Sequence, residues 1–588
     1  MRPDNPLIAQ SDRSLLLHTV RAVVDADGRP VKDDEGRPMT EEHPRYADAR
    51  DALAKFAELE KSPDYLHSYR ITPVSIWNAA ALGMGPDDVE RELEEYSCVP
   101  LPPVLLDEVR GWFARYGLMR IVRHDEQRFE LESDDPEALA EVLRHKAIAA
   151  LVEQDADGRL WLGELDRGPL KQALIRIGYP VDDRGGYRDG DPYAVRLREQ
   201  TRSGNDFALR EYQSRAAEAF YRGGSVLGGS GVVVLPCGAG KTVVALAAMS
   251  LVGTKTLILT SNTVAVRQWR EEILDKTELT EDEVGEYTGE QKAVRPVTIT
   301  TYQMLTWRRS KTGDFEHFGI FVRENWGLVV YDEVHLLPAP IFRVTAELQA
   351  RRRLGLTATL VREDGKEDEV FCLIGPKRYD VPWKVLEGQG FIATARCVEV
   401  RVPLPRDQRP RYDAAEARAK FRIASENSAK DAVVEELIAR HPAGRVLIIG
   451  QYIDQLKTLA KRLGVPLITG RTPNPERERL YGAFRDGSER ILIVSKVGNF
   501  AIDLPDANVA IQVSGTFGSR QEEAQRLGRI LRPKSDGSAA SFYAVVTLDS
   551  RDQEFAQKRQ LFLTEQGYSY EIVESPAAEE LATQGDSR

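Results

Sequence analysis

Cysteine is scarce in this 588-residue chain: Cys98, Cys237, Cys372 and Cys397 lie far apart, with no C-x-x-C pair and no matching histidine spacing. That argues against a disulfide framework or a zinc site and leaves buried free thiols, with Cys237 read as a small filler beside two glycines in preference to a reactive thiol. Long apolar runs are missing too. No stretch approaches the roughly 20 residues that cross a bilayer, and no export signal opens the chain. The sequence therefore predicts a cytoplasmic protein with no membrane partner. A basic surplus is also absent, since 80 Lys and Arg stand against 92 Asp and Glu, a net charge of −12. The acid excess belongs to the first 200 residues, which hold 27 basic against 40 acidic residues; the remainder is near neutral at +1. Within that remainder, clusters such as "WRRSK" (307–311) and "RRR" (351–353) suit either a solvated face or a phosphate backbone.

What is present has the texture of about four domains. Residues 6–20, "PLIAQSDRSLLLHTV", alternate like a strand. "DADGRPV" (25–31) and "DDEGRPM" (33–39) are near-copies with turn signals and read as an exposed hairpin or loop, not a repeat architecture. Pro86 opens a helix with Val89, Leu93 and Tyr96 on one face. A second helix runs from about 103 to Tyr116, closed by Gly117, and the hairpin "LMRIVR"/"RFELES" follows. Two short helices and a hairpin form the order of a winged-helix unit, whose acidic surroundings favour protein docking. The expected domains are a winged-helix-like unit within 1–133 and a small α+β domain at 134–200, which ends in "DDRGGYRDGDP".

After residue 205 apolar β-branched strands alternate with helices: "GVVVL", "TLILT", "VTITT", "GLVVYD" and "RRLGLTAT", then "RVLIIG", "ILIVSK", "VAIQVSG" and "SFYAVVT". Strands of this kind are buried on both faces of parallel sheets. The split near "VPWKVLEGQGFI" (381–392) implies two tandem doubly wound α/β domains, 205–390 and 391–575, with a disordered tail at 576–588.

"PCGAGKT" (236–242) lies between the first of these strands and an alanine-rich helix, the position at which a helix N-terminus meets an anion. Gly238, Ala239 and Gly240 let backbone N–H groups approach phosphate oxygens; Lys241 reaches the β- and γ-phosphates and Thr242 the Mg²⁺. Leu235 stands where the full G-x-x-x-x-G-K-[ST] spacing has its first glycine, so only the second half of the pattern is met. "LVVYDEVH" (328–335) supplies the acids: Asp332 would hold Mg²⁺ with Thr242, and Glu333 would orient and deprotonate the attacking water. "QRLGRILRP" (525–533) spaces Arg526, Arg529 and Arg532 along a helix, with Arg529 and Arg532 on one face as candidate arginine fingers.

In order and separation, "PCGAGKT", "DEVH", "LTAT" (356–359) and "QRLGRILRP" resemble motifs I, II, III and VI of superfamily 2 helicases and translocases. "VREDG" (361–365) resembles the Arg-Glu-Asp motif of the XPB family of repair helicases, and "HSYRITPVSIWNA" with the small domain after it resembles that family's N-terminal region. The resemblance covers nearly the whole chain. It implies two RecA-like domains, ATP and Mg²⁺, 3′ to 5′ movement on DNA and a damage-recognition role for the small domain. Gln213 in "LREYQ" resembles the adenine-reading glutamine, and His335 and Gln525 the pair that relays nucleotide state. Thr357 and Thr359 resemble the residues that couple hydrolysis to strand movement, and Arg529 and Arg532 the fingers. Arg362, Glu363 and Asp364 resemble those linked to duplex opening. "TSNTVAVRQW", "ITTYQM" and "VSKVGNFAIDLP" resemble motifs Ia, Ib and V, which hold the strand through its backbone without regard to sequence. The family's thumb-like insertion is reduced here to "RYDAAEARAKFRIASENSAK" (411–430).

Four functions fit these observations to different degrees. The first is an ATP-driven DNA helicase acting in repair on single-stranded and forked DNA. The second is a duplex translocase without strand separation, which a reduced thumb permits. The third is an ATP-gated scaffold that clamps DNA and recruits a nuclease or other repair protein through the acidic N-terminal half. A small-molecule kinase fits least, because it needs neither a finger helix nor a second α/β domain.

Overall fold

The computed structural model describes residues 4–574 apart from 26–28, 30, 33–38, 62–64, 126–127, 164–165, 184–188, 225–227, 237, 310–315, 318–323, 335–349, 351, 359–369, 371–373, 392–394, 496–506, 516–539, 566–567 and 569. The chain forms two compact units, one of Met1–Leu235 with Gly240–Asp380, the other of Pro236–Ala239 with Val381–Arg588. No helix among the described residues is long and apolar enough to cross a membrane.

The first unit opens with an antiparallel sheet in the order Leu7–Ala9, Ser14–His18, Leu66–Arg70, Glu58–Lys61. Its apolar face, with Leu15, Leu17 and Tyr69, packs on the helices Tyr46–Leu53, Pro86–Tyr96 and Pro103–Arg115. Proline stands at the first turn of the last two, where a missing N–H costs nothing, and Val89 and Leu93 are fully buried. Around the near-copies at 25–39, strand Val20–Ala22 pairs with Thr40–Glu42, and Val31 bridges Val23 and Met39 through its N–H and C=O.

A second sheet has the order Val181–Asp183, Met119–Arg123, Arg128–Glu132, Leu160–Gly163, Glu153–Gln154. The hairpin read from "LMRIVR" and "RFELES" is therefore its centre. Both edges of that hairpin are occupied, and the sheet spans the 133/134 boundary expected from the sequence. Asp183 locks the sheet to the helix Arg167–Arg176 by bonds of 3.0 Å to Arg167 Nε and Lys171 Nζ. Burial alone would raise the Asp183 carboxyl, yet the Lys171 and Arg167 cations outweigh it and hold the group well below the usual carboxylate range.

The β-branched stretches that follow all form strands. Together with two edge strands that no such composition marks, β3 Val284–Tyr287 and β7 Lys377–Asp380, they are β1 Ser230–Val234, β2 Thr256–Thr260, β4 Val297–Thr301, β5 Leu328–Tyr331 and β6 Arg352–Thr357. All seven are parallel, in the order β3-β4-β2-β5-β6-β1-β7. Val74 and Trp77 of the helix Pro73–Ala81 belong to the same core as Val232, Leu257 and Val329, so the N-terminal region and this sheet bury apolar surface together. Gly190 shows how close the approach is. Its φ is +84°, and a Cβ there would lie 2.1 Å from Gly327 Cα, so no side chain fits where Asp191 N–H bonds Asn325 O at 2.9 Å.

The second unit repeats the plan with β8 Ala395–Val402, β9 Val446–Gly450, β10 Leu467–Ile468, β11 Ile491–Ser495, β12 Val509–Gln512, β13 Ala540–Thr547 and β14 Tyr570–Glu574. Again all are parallel, and the order β10-β11-β9-β12-β13-β8-β14 is the same permutation. Between β8 and β9 run the helices Arg409–Asp413, Ala417–Ser425 and Ala429–Arg440. They lie against the domain: Phe421 is fully buried and meets Phe555 edge-on at 5.0 Å, and the Tyr412 hydroxyl accepts the Arg551 N–H at 2.8 Å. Lys430 and Asp552 form an ion pair inside this unit at 2.6 Å, both almost wholly buried.

Candidate functional site

In open parallel sheets, ligand loops gather at the carboxyl ends of the strands. In the first sheet β5, β6 and β1 are neighbours, and their carboxyl ends lead into Asp332, Thr357 and the glycine loop respectively. Neighbouring strands lie about 4.8 Å apart, so these three segments share one small area.

The loop leaves β1 through Leu235, whose N–H donates to Thr357 O at 3.0 Å and so fastens its base to the end of β6. Gly238 (φ +81°) and Gly240 (φ +80°) are left-handed, a backbone that glycine adopts without steric cost. Gly240 is also the N-cap of the helix Lys241–Val252, and a Cβ on it would come within 2.5 Å of Gln213 Nε2. Gln213 itself is buried on the helix Glu211–Tyr221, and its Oε1 accepts the Arg210 N–H at 3.0 Å. Lys241 Nζ lies 3.5 Å from Leu235 O, folded back over the loop. Thr242 is half-buried in the first turn of the helix, where its hydroxyl can serve as a hard oxygen donor.

Asp332 is fixed from three directions. Its N–H donates to Leu259 O at 2.9 Å, its C=O accepts the Tyr302 hydroxyl at 2.7 Å, and its Oδ2 accepts the Trp269 indole N–H at 2.8 Å. Burial and the Glu333 carboxylate push the Asp332 carboxyl group upward, while the Trp269 N–H and the Lys241 ammonium act the other way. Lys241, at the start of the helix that follows the glycine loop, thus lies close enough to Asp332 to act on its charge. Glu333 has φ +49°, a left-handed backbone that costs a non-glycine residue about 1–2 kcal/mol. Strain of this kind persists where the surroundings dictate it, and it gathers at functional sites.

The structure thus brings together Gln213, Gly240, Lys241, Asp332, Glu333 and Thr357, with Gly238, Ala239 and Thr242 adjoining them in the chain. His335, Thr359, Arg362, Glu363, Asp364, Gln525, Arg529 and Arg532 lie outside the described residues, as does Cys237. Sequence reasoning missed Trp269 and Tyr302, which fall in stretches read only as strand-holding. Their distance along the chain from Asp332 gives no sign of the contact.

Three family models match: "ERCC3/RAD25/XPB C-terminal helicase" at residues 386–585, "Type III restriction enzyme, res subunit" at 206–362 and "Helicase conserved C-terminal domain" at 33–157. Among curated relatives, "DNA 3'-5' helicase XPB" of Kineococcus radiotolerans is 52% identical over 97% of this chain and 97% of its own length. The protein of that name from Mycobacterium tuberculosis is 50% identical over 97% and 98%. "Putative DNA 3'-5' helicase Rad25" of Halobacterium salinarum is 37% identical over 81% and 75%. With half its residues shared along nearly its full length, and with the glycine loop and acid pair at the ends of adjacent strands, this chain belongs to the ERCC3/RAD25/XPB helicase family.

Proposed function

We propose that this protein is an ATP-dependent 3′–5′ DNA helicase and translocase that couples ATP hydrolysis to duplex opening in DNA repair. The observation that carries the reading is the convergence of the glycine loop, Lys241, Asp332 and Glu333 on one edge of the first RecA-like sheet. A second sheet of the same strand permutation supplies the other half of a two-domain motor.

Each residue has a role in this proposal. Gly238, Ala239 and Gly240 present backbone N–H groups to phosphate, Lys241 neutralises the β- and γ-phosphates, and Gln213 reads the adenine. The donor set fits Mg²⁺, which takes one or two carboxylates and hydroxyl or phosphate oxygens, and Asp332 is a confined carboxylate whose charge burial and Glu333 disfavour. Thr242 and Asp332 would hold the ion, which when bound supplies charge neutralisation at the phosphate oxygens. Glu333 accepts the proton of the attacking water. Arg529 and Arg532 act as fingers, Gln525 and His335 relay nucleotide state, Thr357 and Thr359 couple it to the strand, and Arg362, Glu363 and Asp364 part the duplex. The chain works in the cytoplasm, with 1–133 and 134–200 as N-terminal modules, 205–390 and 391–575 as the motor, and the acidic N-terminal half recruiting a nuclease or other repair protein.

A positioning role for Trp269 follows from its bond to Asp332. Partners that orient a metal-holding carboxylate are worth roughly 10- to 100-fold in activity or metal affinity. Trp269→Phe keeps the ring and removes the N–H, so the Mg²⁺ concentration for half-maximal ATPase is expected to rise about tenfold with little change in melting temperature. An unchanged Mg²⁺ titration sinks the role.

One observation favours a second reading. The helices at 409–425 pack on the second domain through Phe421 and Tyr412, and a thumb reduced to this segment suits a duplex translocase that does not separate strands. ATPase with and without single-stranded and duplex DNA, run beside displacement of 3′- and 5′-tailed strands, separates the readings. Stimulated hydrolysis with release of the 3′-tailed strand alone is expected. Stimulation without release supports the translocase, and no stimulation by any DNA overturns the motor.

A further inference from the structure

Of the seven tryptophans, only Trp307 is exposed, at 44% of its surface. A single exposed aromatic needs no explanation by itself. Trp307, however, is held. Its ring packs against the His317 imidazole at 5.5 Å and 35°, and His317 is anchored by the hydroxyl of buried Tyr287, which lies 3.1 Å from Nδ1. Tyr287 ends β3, and the short helix Tyr302–Leu305 that leads to Trp307 begins where β4 ends. The indole therefore stands on the same edge of the first sheet as the nucleotide site, at the flank away from β1.

The charge around it is cationic. Arg308 and Arg309 follow in the chain, both exposed, and Lys292 lies close enough to His317 to act on its charge. Among the described residues, Glu316 is an acid close to His317, and it pairs with Arg309 at 2.5 Å on the surface, where such pairs contribute little and exchange readily for phosphate. An exposed, braced indole followed in the chain by two exposed arginines is the composition of a platform for unpaired nucleobases: the ring takes a base face and the arginines the phosphates beside it.

We propose that Trp307, backed by His317 and flanked by Arg308 and Arg309, is a base-stacking site for single-stranded DNA at the outer flank of the first domain. This rests on the motor reading, in which the segments after β2 and β4 hold the strand backbone. The sheet order β3-β4-β2 then carries that strand onto Trp307. Phosphate contacts give grip at any sequence, and a stacked base adds a grip that duplex DNA, its bases already paired, does not offer. The platform thus gives the motor a preference for unpaired strand.

The test measures binding of the full-length protein to fluorescein-labelled dT20, to an abasic 20-mer and to a blunt 20-bp duplex. Stacking is worth about 1–3 kcal/mol per base, and 1.4 kcal/mol is tenfold. Trp307→Ala is thus expected to weaken dT20 binding roughly 5- to 150-fold, leaving the duplex, the abasic strand and DNA-independent ATPase within twofold of wild type. Trp307→Phe, which keeps a ring, is expected to retain most of the dT20 affinity. Arg308→Ala should instead lower the salt slope of dT20 binding by about 0.7, the contribution of one phosphate contact on a single strand. Equal weakening on dT20 and the abasic strand overturns stacking, and dT20 binding unchanged in Trp307→Ala assigns this face to a protein partner or to solvent. If wild type shows DNA-stimulated ATPase in the same series, either result fails the platform alone. A wild type that binds no DNA fails the motor reading and the platform with it.

Discussion

Glu333→Gln is expected to lower ATP turnover by 10²- to 10⁴-fold, the range that a positioned general base contributes, while nucleotide binding stays within a fewfold of wild type. The substitution keeps the shape of the side chain and removes its ability to take a proton. Glu333 sits one residue past Asp332, whose carboxylate Trp269 anchors and whose backbone carbonyl Tyr302 anchors, on a left-handed backbone at φ +49°. A residue that needed only to be solvated at the end of β5 would relax out of that conformation. Lys241→Ala gives the contrasting pattern: it removes the ammonium facing the phosphates, so nucleotide affinity falls along with turnover. Steady-state ATPase and fluorescent-nucleotide binding, measured on both variants, separate the two roles. A rate for Glu333→Gln within tenfold of wild type would remove Glu333 as the base, whatever Lys241→Ala does.

The glycine loop and the acid pair are legible in the sequence because each is contiguous: a strand, a turn and a helix start carry one, and a single strand tip the other. The central strands are legible for a related reason. Stretches such as "TLILT" and "VLIIG" are buried on both faces, and burial imposes β-branched composition. Sheet edges escape this logic. β3 (VGEY), β7 (KRYD), β10 (LI) and β14 (YEIVE) are the outermost strands of their sheets, short or partly polar, and no pattern marks them. Contacts set by strand order are equally silent. Trp269 and Tyr302 reach Asp332 because β2 lies beside β5 and β4 beside β2 in the fold, and chain separation does not reveal that. The same holds for Gly190 facing Gly327, and for Trp77, whose partners in the first sheet no local pattern names.

Lys430→Met should destabilise the second domain by about 3–5 kcal/mol, the cost of leaving a buried charge without its partner. Lys430 is fully buried, and its ammonium donates to Asp552 Oδ2 at 2.6 Å and to Val513 O at 2.9 Å, just past the end of β12. Asp552 Oδ2 also accepts the Thr547 N–H at 3.2 Å, at the end of β13. One pair therefore ties the first turn of Ala429–Arg440 to the carboxyl ends of two neighbouring strands and to the helix Arg551–Glu565. Methionine fills the volume of the lysine stem but leaves the Asp552 carboxylate in an apolar interior, where hydration cannot reach it. A domain of about 200 residues loses roughly 2–4 °C per kcal/mol, so its calorimetric transition should fall by on the order of 10 °C. Asp552→Asn should cost a comparable amount by stranding the ammonium. The double variant Lys430→Met/Asp552→Asn should be markedly less unstable than the sum of the two, because neither buried charge is then left without the other. Additive losses would show that packing around the two side chains, and not their charges, holds this end of the sheet. A shift under about 2 °C for Lys430→Met would show that water reaches the pair.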